Sequence, residues 1–197
     1  MKKKLVLMTV LLFGLAVIFA SCAGMQAKPT EANFKSPAIT LESFEVPQFD
    51  GYWYYSGKTK PTKGKAGNHG APLPMSFVFN VSNPNSYPIL SEGVKFTVAF
   101  EGFDLVTYNN EDSIWIPAGK TTQIRATTLI TTRSALLSLL VTGGYKLKAK
   151  GMNPWQAMEK WWAGASGYTI PVTVHEGAFT FMAGGVTKVL PFKATFP

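Results

Sequence analysis

The chain has 197 residues, of which 46% are hydrophobic, 13% are aromatic and 15% are charged, and it contains one cysteine. This apolar content is enough to build a folded core and argues against a wholly disordered chain. A single cysteine excludes an internal disulfide framework and any multi-cysteine metal site. The net charge of +8 points first to nucleic acid or an anionic surface, but part of that charge lies at the N-terminus.

The N-terminus has the pattern of an export signal. Residues 1–4 carry three lysines, and the apolar run 5–20 is interrupted only by Thr9 and Gly14. This run is shorter than the roughly 20 residues that a bilayer-spanning helix needs. It ends in Ala20-Ser21-Cys22, which resembles the lipobox of bacterial lipoproteins, whose cysteine is acylated and whose leader is cut away. An uncleaved anchor helix with an incidental cysteine and an ordinary cleaved signal are the alternatives.

The resemblance to lipoproteins implies lipidation at Cys22 and a location in the bacterial cell envelope. Two or three acyl chains hold a domain stably at a membrane, since each buried CH₂ contributes about 0.8 kcal/mol. Ala23 follows the cysteine, which favours the outer membrane, facing the periplasm. Without the leader, 16 basic and 11 acidic residues remain, so the mature chain carries +5. We expect a signal peptide at 1–21, a lipidated tether at 22–38 and one domain at 39–197.

Short alternating stretches dominate the rest of the chain. The first predicted strand, at 39–46, changes phase near Glu42-Ser43, as a β-bulge would. Residues 57–74 hold four glycines, three prolines and four lysines, which predicts an exposed loop. Further strands are predicted at 75–82, 94–100, 113–116, 121–130, 168–174, 179–182 and 187–196, with a turn at Asn109-Asn110. This spacing of short strands predicts an antiparallel β-sandwich or barrel.

Two helices are predicted between these strands. Thr132 is a suitable N-cap for a helix over 133–141, with Gly143-Gly144 as its stop. The inward side chains of this helix are expected to be Leu136, Leu137 and Leu140. Asn153-Pro154 is a typical start for the second helix, which Gly164 and Gly167 would end. One face of that helix carries Trp155, Met158, Trp161 and Trp162.

A corner between two strands carries the most specific motif. Asn83-Pro84-Asn85 stops one strand, and Tyr87-Pro88-Ile89 starts the next, which ends at Gly102. Asparagine tolerates turn dihedrals and bonds nearby backbone, while proline fixes φ, so the residues alone predict a structural corner. The segment 77–103 also resembles the WHy domain (water stress and hypersensitive response) of group-2 late embryogenesis abundant proteins. The resemblance continues through residues 116–121 and covers about 39–197.

The resemblance to the WHy domain implies a β-sandwich of the fibronectin-III or immunoglobulin type with one short helix. It also implies a non-enzymatic role in tolerance of desiccation or osmotic stress, with client proteins or membranes as partners. The long loop at 57–74 and the Trp-rich segment at 146–167 depart from the family pattern, and they are the expected places for any specialised function.

Residue patterns typical of catalysis or cofactor binding are not found. His69 and His175 are far apart and have no partner at ligand spacing. Gly119-Lys120-Thr121 lacks the glycine that a phosphate-binding loop carries five residues earlier. No G-x-S-x-G occurs, and Cys22 is assigned to the N-terminus. We therefore expect no enzyme activity, no metal, no cofactor and no nucleic-acid partner.

Two groups of aromatic and basic residues are candidate interaction surfaces. The first combines Tyr54 with Lys58, Lys60, Lys63 and Lys65, and the second is the face formed by Trp155, Trp161 and Trp162. The alternatives are aromatics packed under the sheet edge beside solvated lysines, and a Trp face that covers part of the sandwich. The leading interpretation is a non-catalytic stress-protective lipoprotein. The second is an envelope module that binds lipid or protein through residues 52–65 and the Trp-rich helix.

Overall fold

Two antiparallel sheets and three short helices make up the computed structural model, which describes residues 28–54 and 71–197. The expected signal peptide, Cys22 and four candidate lysines (Lys58, Lys60, Lys63 and Lys65) lie outside the described residues. The strands are β1 (Ala38–Glu45), β2 (Leu73–Ser82), β3 (Ile89–Phe100), β4 (Phe103–Asn110), β5 (Ile114–Ile116), β6 (Thr121–Ile130), β7 (Val172–Ala183) and β8 (Val186–Phe196). The helices between β6 and β7 are α1 (Thr132–Thr142), α2 (Gly144–Ala149) and α3 (Pro154–Ser166). The predicted mainly-β sandwich is confirmed.

The smaller sheet has the strand order β1-β2-β6. The pairing of β2 with β6 runs without interruption from Leu73 opposite Ile130 to Ser82 opposite Thr121. The pairing of β1 with β2 shifts between Leu41 and Ser43, which confirms the bulge predicted from the phase change.

The larger sheet has the order β4-β3-β7-β8, with β5 also pairing β3. Two sequence predictions are wrong here. Asn109-Asn110 belongs to β4, and the turn between β3 and β4 lies at Glu101-Gly102. Residues 168–171 precede the strand, and the rest of the stretches predicted at 168–174 and 179–182 belongs to one strand, β7. Its pairing with both neighbours shifts around His175 and Glu176. Glu176 has a φ of +51°, so a bulge, and not a strand end, breaks the alternation.

Alternating aromatic side chains fill the space between the sheets. Phe77 and Phe79 of β2 contact Phe96 of β3 with ring centroids 5.2 and 5.7 Å apart. Phe79 also meets Phe179 of β7 at 5.5 Å and Phe192 of β8 at 5.1 Å, in edge-on arrangements that aromatic rings prefer. The period-two pattern of these strands therefore produces the core that the sequence predicts.

The first helix, α1, packs on β4 through a different face from the one expected. Its N-cap is Thr131, whose hydroxyl accepts from the backbone N–H of Ser134, and its buried residues include Ala135 and Leu139. Leu137 and Leu140, predicted to point inward, are instead exposed. The short helix α2 was not predicted. No helix in the described parts of the chain is both long and apolar enough to cross a membrane.

The second predicted helix, α3, begins as expected, because the Asn153 side chain accepts from the backbone N–H of Trp155. It does not end at Gly164, which lies inside the helix and is buried. A Cβ at position 164 would come within 2.6 Å of the Ile170 side chain, so glycine allows the chain after α3 to cross the helix closely.

Candidate functional site

Asn83 is the centre of the predicted corner and is 1% exposed. Its side-chain N–H group donates to three backbone carbonyl oxygens. These belong to Tyr87 at 2.9 Å, Ile116 at 3.1 Å and Pro117 at 3.1 Å. One side chain therefore joins the end of β2 to the start of β3 and to the turn after β5, and it supplies a donor to buried carbonyl oxygens there. The Pro117 carbonyl also accepts from the backbone N–H of Lys120 at 3.2 Å.

Asn85 extends this network to the N-terminal side of the domain. Its backbone N–H and side-chain N–H both donate to the Asn83 side-chain oxygen, at 3.0 and 2.9 Å. Its side-chain oxygen accepts from the backbone N–H of Lys35 at 2.8 Å, and its side-chain nitrogen donates to the Lys35 carbonyl, also at 2.8 Å. The Asn85 amide thus pairs with the Lys35 backbone as a neighbouring strand would. We call Asn83, Asn85 and these partners the corner.

The described part of the expected tether packs against the domain. Phe34 is 5% exposed and stacks edge-on to Tyr87, with ring centroids 6.4 Å apart. The Tyr87 hydroxyl donates to the Asn33 side chain at 3.1 Å. The Lys188 ammonium donates to the Phe34 carbonyl at 2.9 Å and sits 5.1 Å from the centre of its ring. Residues 33–35 are therefore held to the sandwich, and we call residues 28–37 the leading segment.

The remaining residues of the motif, Pro84, Pro88 and Gly102, also shape the backbone at the ends of strands. Burial alternates through the corner, with Asn83, Asn85 and Tyr87 inside and Pro84 and Pro88 outside. Gly102 has a φ of +82° in the two-residue turn between Phe100 and Phe103. The residue before it, Glu101, has a φ of +49°, which only a minority of non-glycine residues adopt. Positive φ at both central residues is the geometry of a type I′ hairpin turn.

Glu101 bonds to α3 from this turn. Its carboxylate accepts from the Trp161 indole N–H at 2.8 Å and forms an ion pair with Lys160. Burial opposes ionisation of this carboxyl group, but the hydrogen bonds from Lys160 and Trp161 and the nearby Lys150 charge outweigh it, so the pKa of Glu101 lies below its usual value. The left-handed backbone at Glu101 is thus held in place by two side chains of α3, Lys160 and Trp161.

Trp161 and Trp162 are both fully buried, so the surface predicted from them is wrong. The Trp161 ring packs on Phe103, with centroids 5.2 Å apart. Trp162 donates its indole N–H to the Ala71 carbonyl at 2.7 Å and packs edge-on to Tyr52. The alternative, in which the Trp face covers part of the sandwich, is what the structure shows; Trp155 at the start of the helix is partly buried.

The segments 57–74 and 146–167 meet at α3. The Ala71 backbone N–H donates to the Tyr52 carbonyl at 2.7 Å, and both residues lie beside Trp162. Trp53, next to Tyr52, donates its indole N–H to Glu159 of α3 at 2.7 Å. The helix therefore contacts Trp53 and Ala71, on either side of the residues 55–70 that the structure does not describe. We call Tyr52, Ala71, Glu101, Trp161 and Trp162 the clamp; sequence spacing gave no sign that these two regions touch.

Two hydroxyl groups under the clamp are buried without a hydrogen-bond partner in the described part of the chain, those of Tyr52 and Thr132. The two hydroxyl groups lie near each other but are not hydrogen-bonded to one another. Burial raises the pKa of the Tyr52 phenol and the Glu159 charge adds to this, while the Thr132 hydroxyl acts in the opposite direction. This is the one place in residues 28–54 and 71–197 where buried side-chain polar atoms stay unpaired.

Among the described residues, the surface offers little that resembles an active site. A cavity of about 110 Å³ is lined by Phe49, Pro74 and Leu129 among others, and another of about 250 Å³ by Glu92, Lys95 and Glu111 among others. Their carboxylates are at least partly exposed. Within 28–54 and 71–197, no three His, Cys, Asp or Glu side chains are grouped to hold a metal ion. His175 is hydrogen-bonded to Asp104 at 2.8 Å, and His69 lies outside the described residues.

No protein-family model matches the chain, and no curated protein is detectably similar to it. It is similar to a solved structure from Archaeoglobus fulgidus, with 10% identity, a TM-score of 0.43 and coverage of 82% of this chain and 92% of that one. It is similar to a candidate ApaA protein from Bordetella pertussis, with 8% identity, a TM-score of 0.41 and coverage of 82% and 94%. A candidate late embryogenesis abundant (LEA) protein is similar at 12% identity, with a TM-score of 0.29 and coverage of 100% and 87%.

Proposed function

We propose that this chain is a non-catalytic lipoprotein of the bacterial cell envelope whose WHy-like sandwich protects proteins or membranes during desiccation or osmotic stress. The observation that carries the proposal is the corner. Asn83 and Asn85, which carry the resemblance to the WHy family, are buried, and their side-chain amides are hydrogen-bonded to backbone groups. The motif therefore serves the fold, as a family defined by its scaffold rather than by a catalytic residue would require.

The location is proposed from the N-terminal sequence. Acyl chains on Cys22 would place the sandwich at a membrane of the envelope, on the outer membrane facing the periplasm. Mass spectrometry of the purified protein tests this part directly. We expect the first residue to be an acylated Cys22, and an unmodified Met1 would contradict the lipid anchor.

The protective role is tested by drying a reporter enzyme with the purified protein and measuring aggregation by light scattering after rehydration. We expect less aggregation than with an equal mass of albumin. A Trp115→Ala variant, changed at a surface tryptophan that is 61% exposed, should protect as well as the unaltered chain. Protection equal to that by albumin would refute the proposal, whatever the state of the N-terminus.

A second candidate function is binding of lipid or protein by residues 52–65. Trp53 and Tyr54 are 41% and 45% exposed, which favours this loop, whereas Trp161 and Trp162 are buried and cannot contact a ligand. Flotation of a Cys22→Ala chain with liposomes, compared with the same chain carrying Lys58→Glu and Lys60→Glu, tests it. Equal flotation of both chains would exclude a role for these lysines.

A further inference from the structure

The helix α1 is apolar on two opposite faces. Ala135 and Leu139 are buried, at 0% and 1% exposure, where the helix packs on β4. On the other side, Leu137, Leu140 and Val141 are 56%, 67% and 86% exposed. A helix that is hydrophobic all round is normally buried all round. In the part of the chain that the structure describes, nothing covers this outer face.

The exposed residues form one stripe and are not scattered. At about 100° per residue, Leu137, Leu140 and Val141 fall within about 100° of one another around the helix axis. Tyr145 follows in α2 and is 74% exposed. Single exposed apolar residues are ordinary, but a contiguous group of this kind marks a surface that contacts something.

The border of this stripe is basic. Residues 113–158 contain no Asp or Glu, and the exposed side chains near the stripe include Arg133, Lys146 and Lys148. Glu101, in the turn before β4, is paired with Lys160. Asp104 of β4, whose backbone carbonyl accepts from Ser138 of α1, has its carboxylate hydrogen-bonded to His175. Apolar residues bordered by uncompensated positive charge are complementary to a surface that is both apolar and anionic.

We propose that this outer surface of α1 and α2, which we call the helical patch, docks on an anionic lipid bilayer. Leu137, Leu140 and Val141 would enter the boundary between headgroups and acyl chains, and Lys146 and Lys148 would contact lipid phosphates. Tyr145 suits the same depth because its ring is apolar and its hydroxyl polar. A second copy of the chain would bring two basic borders together, so charge favours lipid as the occupant. The proposal does not depend on a protective role.

The test places a polarity-sensitive fluorescent label on the full chain in a Cys22→Ala background, at Leu140→Cys or, as the control, at Val189→Cys. Val189 is 60% exposed and apolar, but it lies on β8. Each protein is mixed with vesicles of equal parts phosphatidylcholine and phosphatidylglycerol. Residues 1–21 are the same in both proteins, so any difference between the two positions comes from the domain. We expect a blue shift and quenching by spin-labelled lipid at 140 and neither at 189.

Charge reversal then tests the basic border. Lys146→Glu with Lys148→Glu should reduce the blue shift at 140 at least about twofold, because each basic residue near an anionic surface contributes to binding. Lys95→Glu with Lys193→Glu, which changes the net charge equally on strands β3 and β8, should leave the shift intact.

Four results would overturn the proposal. They are no shift at 140, an equal shift at 140 and 189, a shift as large with phosphatidylcholine alone, and a shift without vesicles that grows with protein concentration. The last would identify a second copy of the chain as the occupant.

Discussion

The corner and the clamp both tie distant parts of the chain together, but they do so with opposite chemistry. The corner uses two buried amide side chains, whose donors and acceptors are matched to backbone groups. The clamp uses two buried tryptophans, and the buried hydroxyl groups of Tyr52 and Thr132 near them have no hydrogen-bond partner among the described residues. We infer that the corner depends on the identity of each polar atom, whereas the clamp depends on buried apolar volume.

The largest expected effect is in the clamp. Trp162→Ala should lower the free energy of unfolding by about 3–5 kcal/mol, because it leaves a cavity and frees the Ala71 carbonyl. Urea denaturation measures this change. As a control, Trp115→Ala should change stability by less than about 0.5 kcal/mol, since that side chain is largely exposed. Similar losses for both variants would show that the clamp is not part of the cooperative core.

The corner should tolerate even an isosteric change poorly. Asn83→Ala removes the side-chain donor from the Tyr87, Ile116 and Pro117 carbonyls, the first two of them in buried bonds, and should cost about 3 kcal/mol in urea denaturation. Asn83→Asp should not restore stability, because a carboxylate would face those same carbonyl oxygens. Asn109→Ala, at an exposed position in β4, is the matched control and should cost little. Recovery of stability by the aspartate variant would contradict the assigned direction of the bonds.

Glu101 should give the clamp a dependence on pH that the corner lacks. Its pKa is lowered in the folded protein, so its contribution is present above the usual pKa of about 4.5 and is lost as the pH falls below it. Glu101→Gln should flatten the loss of stability in acid, with an effect below about 1 kcal/mol at neutral pH because Lys160 is half exposed. Stability measured between neutral and acid pH checks this. An equal flattening by Glu111→Gln would show that no specific pair is involved.

The smallest expected effect comes from the unpaired hydroxyls. Tyr52→Phe removes a buried hydroxyl without a partner, so stability should change by less than about 0.5 kcal/mol or rise. The matched variant Tyr87→Phe loses the bond to Asn33 and should cost about 1 kcal/mol. Equal costs for the two variants, read from thermal unfolding, would mean that the Tyr52 hydroxyl has a partner after all.

Much of the fold follows from local rules in the sequence. The bulge in β1, the alternation of β2 and the Asn153 cap each depend on a few neighbouring residues. Strand β4 was not predicted from the sequence. Gly102 and Asn109-Asn110 are both residue types that favour turns, so local rules do not show which of them ends a strand. Only the positive φ at Glu101 and Gly102 shows that the turn comes first and that the asparagines end the strand.

The candidate site was harder to predict, because residue spacing shows which side chains share a helix face but not what that face contacts. Trp155, Trp161 and Trp162 share one side of α3 whether they meet lipid or protein. Leu137 and Leu140 also lie together, but they are exposed because α1 packs on β4 through another apolar face, which carries Ala135 and Leu139. The hydrogen bond between Trp162 of α3 and Ala71 joins residues 91 positions apart, which no local sequence pattern encodes.

The leading segment has a mechanical consequence for a protein held at its N-terminus. The ring of Pro29 lies beside Gly184 in the turn between β7 and β8, Phe34 is held by Lys188, and Lys35 is paired with Asn85. A pulling force applied to the chain before Lys28 would act on these three contacts, one after another, before it acted on β1. The load would then pass into both sheets through the Asn83–Asn85 network, so several hydrogen bonds would share the tension before it reached one edge strand.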